Sequence, residues 1–171
     1  DWFADFELCG GYILDSMIHY FDLFRWYFGE VKSVYAQGLL LSQKLPEPMD
    51  YTFVNMDFVS GLIGLAEGGW IRRGLNIGSF LYFVGTEGTI CYENYDETIK
   101  VFTKKDNYEE KGRNEEIPCF LEMKVFINKL ISGEDIADNI SASLKDGVEA
   151  LRISLSAIES IQKKEKVYLL K

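Results

Sequence analysis

Histidine is nearly missing from this sequence: His19 is the only one in 171 residues. A transition-metal set built on imidazoles is therefore disfavoured, since one histidine with scattered carboxylates makes a poor donor group, and no metal is expected. Cysteine is scarce too, with Cys9, Cys91 and Cys119 odd in number and widely spaced. They give neither a disulfide framework nor a paired-thiol metal signature, and they suit a reducing, cytoplasmic setting. Positive charge is in deficit, with 18 Lys and Arg against 27 Asp and Glu and a net charge of −9. No basic stripe offsets that balance, which argues against a nucleic-acid partner. No apolar run reaches membrane-spanning length and no signal-peptide pattern opens the chain, so no membrane partner is expected.

Other absences narrow the chemistry. There is no Gly-x-Ser-x-Gly elbow for a nucleophilic serine. The glycine run from Gly61 to Gly69 does not fit the dinucleotide fingerprint and precedes no helix; it reads as a strand with small residues. The chain starts at Asp1 rather than Met, and its first residues already resemble the interior of a protein. A fragment or processed product, with material missing upstream, is the expectation.

What is present is apolar bulk: 47% of residues are hydrophobic and 15% aromatic, too rich for disorder and ample for a core. Residues 1–171 read as a single domain. A helix is expected from about Ile13 to Phe28, with Gly29 as its stop. Strands follow over 31–41, 52–58, 62–73, 79–84, 89–95 and 98–103, with a loop at Pro46 and Pro48 and turns at Ser60-Gly61 and Gly85 to Gly88. Both faces of 79–84 are apolar, so both need cover: one by helices, the other by a partner subunit. Lys104 to Glu116 reads as a charged, solvated loop. Two helices come next, Phe120 to Ile131 and one starting near Ser143, before a closing strand at 167–170. In the last helix Leu144, Val148, Leu151, Leu155 and Ile158 form an expected packing stripe. The resulting class is α+β: an open, mostly antiparallel sheet of about six strands with helices on one face.

The stretch Cys9 to Glu30 carries the candidate chemistry. Gly10-Gly11 breaks structure ahead of a helix on which Asp15 and His19 lie four apart, sharing a face. A carboxylate–imidazole couple can move protons; the competing reading is a core histidine that is merely packed. Asp22 could orient the ring or pair with Arg25. Tyr12, at the mouth of the helix, could turn its hydroxyl toward a substrate or simply pack. Trp70, Arg72 and Arg73 close a strand, where one arginine could reach a polyol or carboxylate.

Gly10-Gly11, Asp15, His19, Asp22-Leu23, Trp26 and Gly29-Glu30, followed by Val34 and Ala36, closely resemble a signature of the glucose–fructose oxidoreductase, inositol dehydrogenase and rhizopine-catabolism (Gfo/Idh/MocA) family. Gly85 to Ile90 resembles its second hairpin, and Asp146-Gly147, Ala150, Ala157 and Ser160 its final helix. The resemblance implies a C-terminal domain like that of glyceraldehyde-3-phosphate dehydrogenase, serving substrate binding and homo-oligomerisation through the open sheet face. It implies that NAD or NADP binds a Rossmann domain absent from this chain, leaving none bound to the fragment. It further implies that His19 is the acid/base, that Asp15 orients it, and that the fragment is inactive alone; the substrate contact expected of Tyr12 rests on its place at the helix mouth. Cys9 and Met17 stand where many relatives carry glycine, so bulk in the pocket is expected. The alternative is a non-catalytic oligomerisation or ligand-sensing module of the same fold.

Overall fold

The computed structural model describes residues 5–41, 50–70, 79–94, 97–112, 117–133 and 142–169. Pro46, Pro48, Arg72 and Arg73 fall outside those residues. The chain divides into two compact units, one of residues 1–72 with 137–171 and one of residues 73–136. The class is α+β with open antiparallel sheets. In place of one sheet of about six strands, the described residues form eight strands divided equally between two sheets of four.

The first unit contains a short helix α1 (Phe6–Cys9), a π turn (Ile13–Met17) running directly into α2 (Ile18–Phe28), and α4 (Leu144–Lys163). Its sheet has the order β3 (Ile63–Gly69), β2 (Tyr51–Phe58), β1 (Val31–Leu39), β8 (Val167–Tyr168), all antiparallel. The second unit holds β4 (Phe80–Val84), β5 (Gly88–Glu93), β6 (Thr98–Thr103), β7 (Asn107–Lys111) and α3 (Pro118–Ser132). The expected solvated loop is thus a strand over Asn107–Lys111, paired along β6. All five side chains of β7 are exposed; pairing here comes from backbone groups alone, so no apolar alternation announced it.

The core lies on the inner face of the first sheet. Val34 and Ala36 on β1, Val54, Met56 and Phe58 on β2 and Ala66 on β3 meet Ile13, Met17, Phe21, Ile153 and Ala157. The buried set on the first helix runs in four-residue steps from Ile13 to Met17 to Phe21. In a straight α-helix two such steps drift by about 80° around the axis. The π turn, closed by the Ile18 N–H donating to the Ile13 carbonyl, is wider and takes that drift back. Three apolar side chains therefore face the sheet in one line, and Leu14, off that line, is only half-buried.

The helix ends follow the sequence. Gly10 and Gly11 both take positive φ (75° and 80°), which only glycine adopts freely, and the chain turns there into the helix. Gly29 closes α2, accepting its place through an N–H bond to the Arg25 carbonyl, and Ser143 caps α4 in a reciprocal box with Asp146.

The packing stripe of α4 is a correction. Leu144 is 87% exposed, and Val148, Leu151 and Leu155 are exposed as well. The face on the sheet is instead Ala150, Ile153, Ser154, Ala157 and Ser160. Small side chains let the helix come close: the Ser160 hydroxyl accepts the Ala36 N–H at 2.9 Å and donates to the Glu165 carbonyl at 2.6 Å. Dispersion contacts and a satisfied strand donor outweigh the larger area that leucines would bury.

The glycines of β3 mark close neighbours, as expected of that strand. A methyl group on Gly68 would run into the Tyr12 ring, with Cζ only 2.9 Å away. Gly68→Ala is expected to lower stability by about 1–2 kcal/mol through overpacking. Adding Tyr12→Phe should restore part of the loss; urea unfolding of the two variants checks this.

Candidate functional site

The helix formed by the π turn and α2 presents the sequence-derived residues at three different depths. Met17 is buried in the core, where its sulfur accepts a hydrogen bond from the Thr52 hydroxyl at 3.5 Å. The bulk that replaces a small residue in the resemblance is thus directed into the sheet rather than into a pocket. Cys9, the other such position, accepts the Gly11 N–H on its sulfur at 3.2 Å. Asp15 is half-buried, and its Oδ2 accepts the Ser16 hydroxyl at 2.8 Å. His19 lies on the exposed side of α2. The reading of His19 as a packed core residue is therefore wrong: its imidazole faces solvent. Among the described residues no hydrogen bond joins Asp15 to His19, although both stand on one continuous helix.

Tyr12 points its ring over β3. Its hydroxyl sits against Gly68, and its ring meets Trp70 edge-on, with centroids 5.9 Å apart and planes at 87°. That arrangement is a packing contact of the sheet with the helix mouth. Trp70 is the member of the strand-end group whose position is described; it belongs to this aromatic contact.

Arg25 is the feature that sequence reasoning under-read. Its side chain is 8% exposed and is met by three carboxylates. Nη2 reaches Glu30 Oε1 at 2.7 Å and Nε donates to Glu30 Oε2 at 3.3 Å, a two-pronged pair. Nη1 donates to Asp146 Oδ1 at 3.3 Å and lies 3.8 Å from Asp22 Oδ1. Of the two roles open to Asp22, this is the pairing role. The Asp146 carboxylate is shared: Oδ2 accepts the backbone N–H and hydroxyl of Ser143 at the start of α4, at 2.8 Å and 2.6 Å. A cation inside an apolar helix, and an Asp three residues after a Ser at a helix start, were the available signals.

These contacts set the local charge states. The hydrogen bond from Arg25 holds the Glu30 carboxyl below its ordinary value of 4.5. The Ser143 hydroxyl, then its N–H, hold Asp146 below its ordinary 3.8, with Arg25 adding to the effect. Across the sheet, Lys166 at 2.7 Å and the Ser33 hydroxyl at 2.7 Å lower Asp57 in the same way. Among the described residues no group of His, Cys, Asp and Glu is arranged to hold a metal ion, and no helix is long and apolar enough to cross a membrane.

The pH dependence follows. A carboxylate whose value is lowered by folding stabilises the folded state above its unfolded value, and that contribution is lost as pH falls through the folded value. The stability gap between wild type and Arg25→Met is expected to be full above about pH 4.5 and to shrink below it. Urea midpoints from pH 7 to pH 3 measure it, and a gap that widens in acid contradicts this account.

Comparison with known proteins gives the setting. The family model for the GFO/IDH/MocA C-terminal domain matches residues 1–91. Myo-inositol 2-dehydrogenase of Thermotoga maritima is 30% identical over 177 residues, covering 95% of this chain and 50% of that protein. The structure of levoglucosan dehydrogenase with NADH and levoglucosan superposes with a TM-score of 0.85 at 19% identity, covering 100% of this chain and 54% of the other. A putative oxidoreductase from Thermotoga maritima superposes with a TM-score of 0.78 at 20% identity, over 98% of this chain and 50% of that one. The chain thus spans about half the length of these relatives. At such identities the structural likeness establishes the fold, which agrees with the profile match over the segment carrying Asp15 and His19. This chain belongs to the Gfo/Idh/MocA family, and what it contains is the family's C-terminal domain.

Proposed function

We propose that this chain is the substrate-side domain of an NAD(P)-dependent oxidoreductase acting on a hydroxyl or carbonyl group of a sugar or polyol. The observation that carries the reading is the sole histidine, exposed on a helix with a carboxylate one turn before it, in the segment that the family model matches. Alcohol oxidation requires a base for the hydroxyl proton, and an imidazole is suited to that task near neutral pH. In this role His19 takes the proton from the substrate hydroxyl, or returns it in the reverse direction. Asp15 orients the imidazole and stabilises its charged form, its Oδ2 turning from Ser16 to the ring when a substrate is bound. Tyr12 lines the mouth of the helix and meets the substrate along its ring edge.

The nicotinamide, when bound, supplies the hydride acceptor. Support for the reading that its cradle lies elsewhere comes from β3. The glycines of β3, which could allow a phosphate to approach backbone, are closed by the protein itself: Phe58 lies over Gly64, Tyr12 over Gly68, and the Asp50–Tyr51 backbone over Gly69. On this reading the nucleotide is held by residues outside this chain, and the chain alone is inactive.

A second reading, a non-catalytic oligomerisation or ligand-sensing module, draws support from the missing Asp15–His19 hydrogen bond. The two separate on one measurement. In the full-length protein His19→Ala is expected to lower turnover by about 100-fold or more while nucleotide affinity stays unchanged. Equal turnover of mutant and wild type on a sugar or polyol substrate ends the acid/base role.

The homo-oligomer is proposed to form through the outer face of the open sheet. On that face Ile63, 80% exposed, and Leu65 on β3 pair with Asp57 and Asn55 of β2, and the ring pair of Tyr51 and Phe53 lies further along β2. Exposed apolar side chains of this size are costly to leave in water. Light scattering should report a dimer, and Ile63→Lys with Leu65→Lys should shift it to monomer; a wild-type monomer at high concentration counts against the interface.

A further inference from the structure

We infer that Arg25 is a positioning residue for His19, acting through the orientation of α2; this rests on the acid/base reading of His19 given above. The first helix is held to the sheet by Ile13, Met17 and Phe21, contacts that are apolar and without direction. They fix how closely the helix lies on the sheet and leave its rotation and tilt weakly specified. Beyond the hydrogen bonds from Thr52 to the Met17 sulfur and from Ser60 to the Phe28 carbonyl, directional contacts come from the ion pairs of Arg25. Its fork grips Glu30 just past the Gly29 stop, and its third nitrogen grips Asp146 on α4. The Asp146 carboxylate is in turn fixed by the Ser143 cap, so α2 is tied to the first turn of α4 rather than to a loose side chain.

His19 and Arg25 stand six residues apart on the same helix, about 9 Å along its axis. Arg25 therefore makes no contact with a substrate at His19, and its effect is geometric. A clamp of three nitrogens on two carboxylates, one of them fixed by the Ser143 cap, resists tilt in a way a lysine cannot, because an ammonium is a point charge without a planar fork. A shift of about 1 Å at a reacting group can cost on the order of 100-fold in rate.

Two measurements test this. In the 171-residue chain, residual dipolar couplings report the orientation of the α2 amides against those of α4 and the first sheet. Arg25→Lys, with Glu30→Gln as a milder variant that keeps the arginine, should move the α2 couplings off the wild-type orientation while the α4 and sheet couplings stay. Couplings that all fit the wild-type orientation overturn the clamp and leave the acid/base reading untouched. In the full-length enzyme Arg25→Lys should lower kcat about 10-fold to 100-fold with KM changed less than about twofold. In a His19→Ala background it should add no further loss, as expected of residues acting as one unit. A full further loss in that background, or a lowered melting temperature with kcat unchanged, overturns the positioning role. Absence of any His19-dependent turnover sinks the acid/base reading, and the catalytic part of this inference with it.

Discussion

The close approach of α4 to β1 sets the geometry of the first unit. With Ala150, Ala157 and Ser160 facing the sheet, the helix sits low enough for a serine hydroxyl to take a strand N–H. That N–H belongs to Ala36, just beyond the two residues of β1 that β8 covers. The short closing strand and the serine thus share one strand edge, where Ser33 and Val34 pair with β8 and the Ala36 N–H is taken by Ser160. Because α4 is low, α2 can lie beside it on the same face, with Phe21, Ile153 and Ala157 in one core. Only in that arrangement does Asp146 come within reach of Arg25.

The positions of helices and strands were legible in the sequence because local rules govern them. Gly29 and Gly133 both end helices with positive φ, and Ser143 begins one, as their residue types dictate. The direction in which α4 faces was not legible. Its leucine stripe satisfies helical periodicity as well as the buried face does, and periodicity cannot tell a ridge that packs from one that is left outward. What decides is the fit between helix and sheet: small residues on one flank of α4 meet a strand at short range, a fact of two elements that neither segment carries alone. The same holds for β7, whose charged residues look like a loop and whose place is fixed by backbone pairing with β6.

The candidate site shows a similar division. The Asp15 and His19 spacing, the Gly-Gly break and the stop at Gly29 are local and were readable. The π turn was not, since it arises from the need to aim Ile13, Met17 and Phe21 at one sheet rather than from any residue preference. Arg25 was visible as an odd cation in an apolar helix, yet its partners lie in three places: one turn back, just past the helix, and 121 residues on. A charge buried to this degree is retained only with such partners, because an unpaired guanidinium there would be strongly destabilising.

The exposure of His19 bears on how the site would work. In water an imidazole competes with solvent for every proton it moves, and a dipole aimed at it is screened. Preorganised groups gain their effect when water is excluded from them. The π turn and α2 present Asp15 and His19 on the outside of the first unit, with the core sealed behind them by Met17 and Phe21. The inner side of the helix is thus committed to folding, and its outer side carries Asp15 and His19. On the acid/base reading proposed above, dry surroundings would have to come from whatever covers that outer side. A hydrogen bond between Asp15 and His19 would be favoured by that same loss of water. On that proposal acid/base competence belongs to the covered site, and the helix joined to α4 through Arg25 and Asp146 is the part contributed in advance.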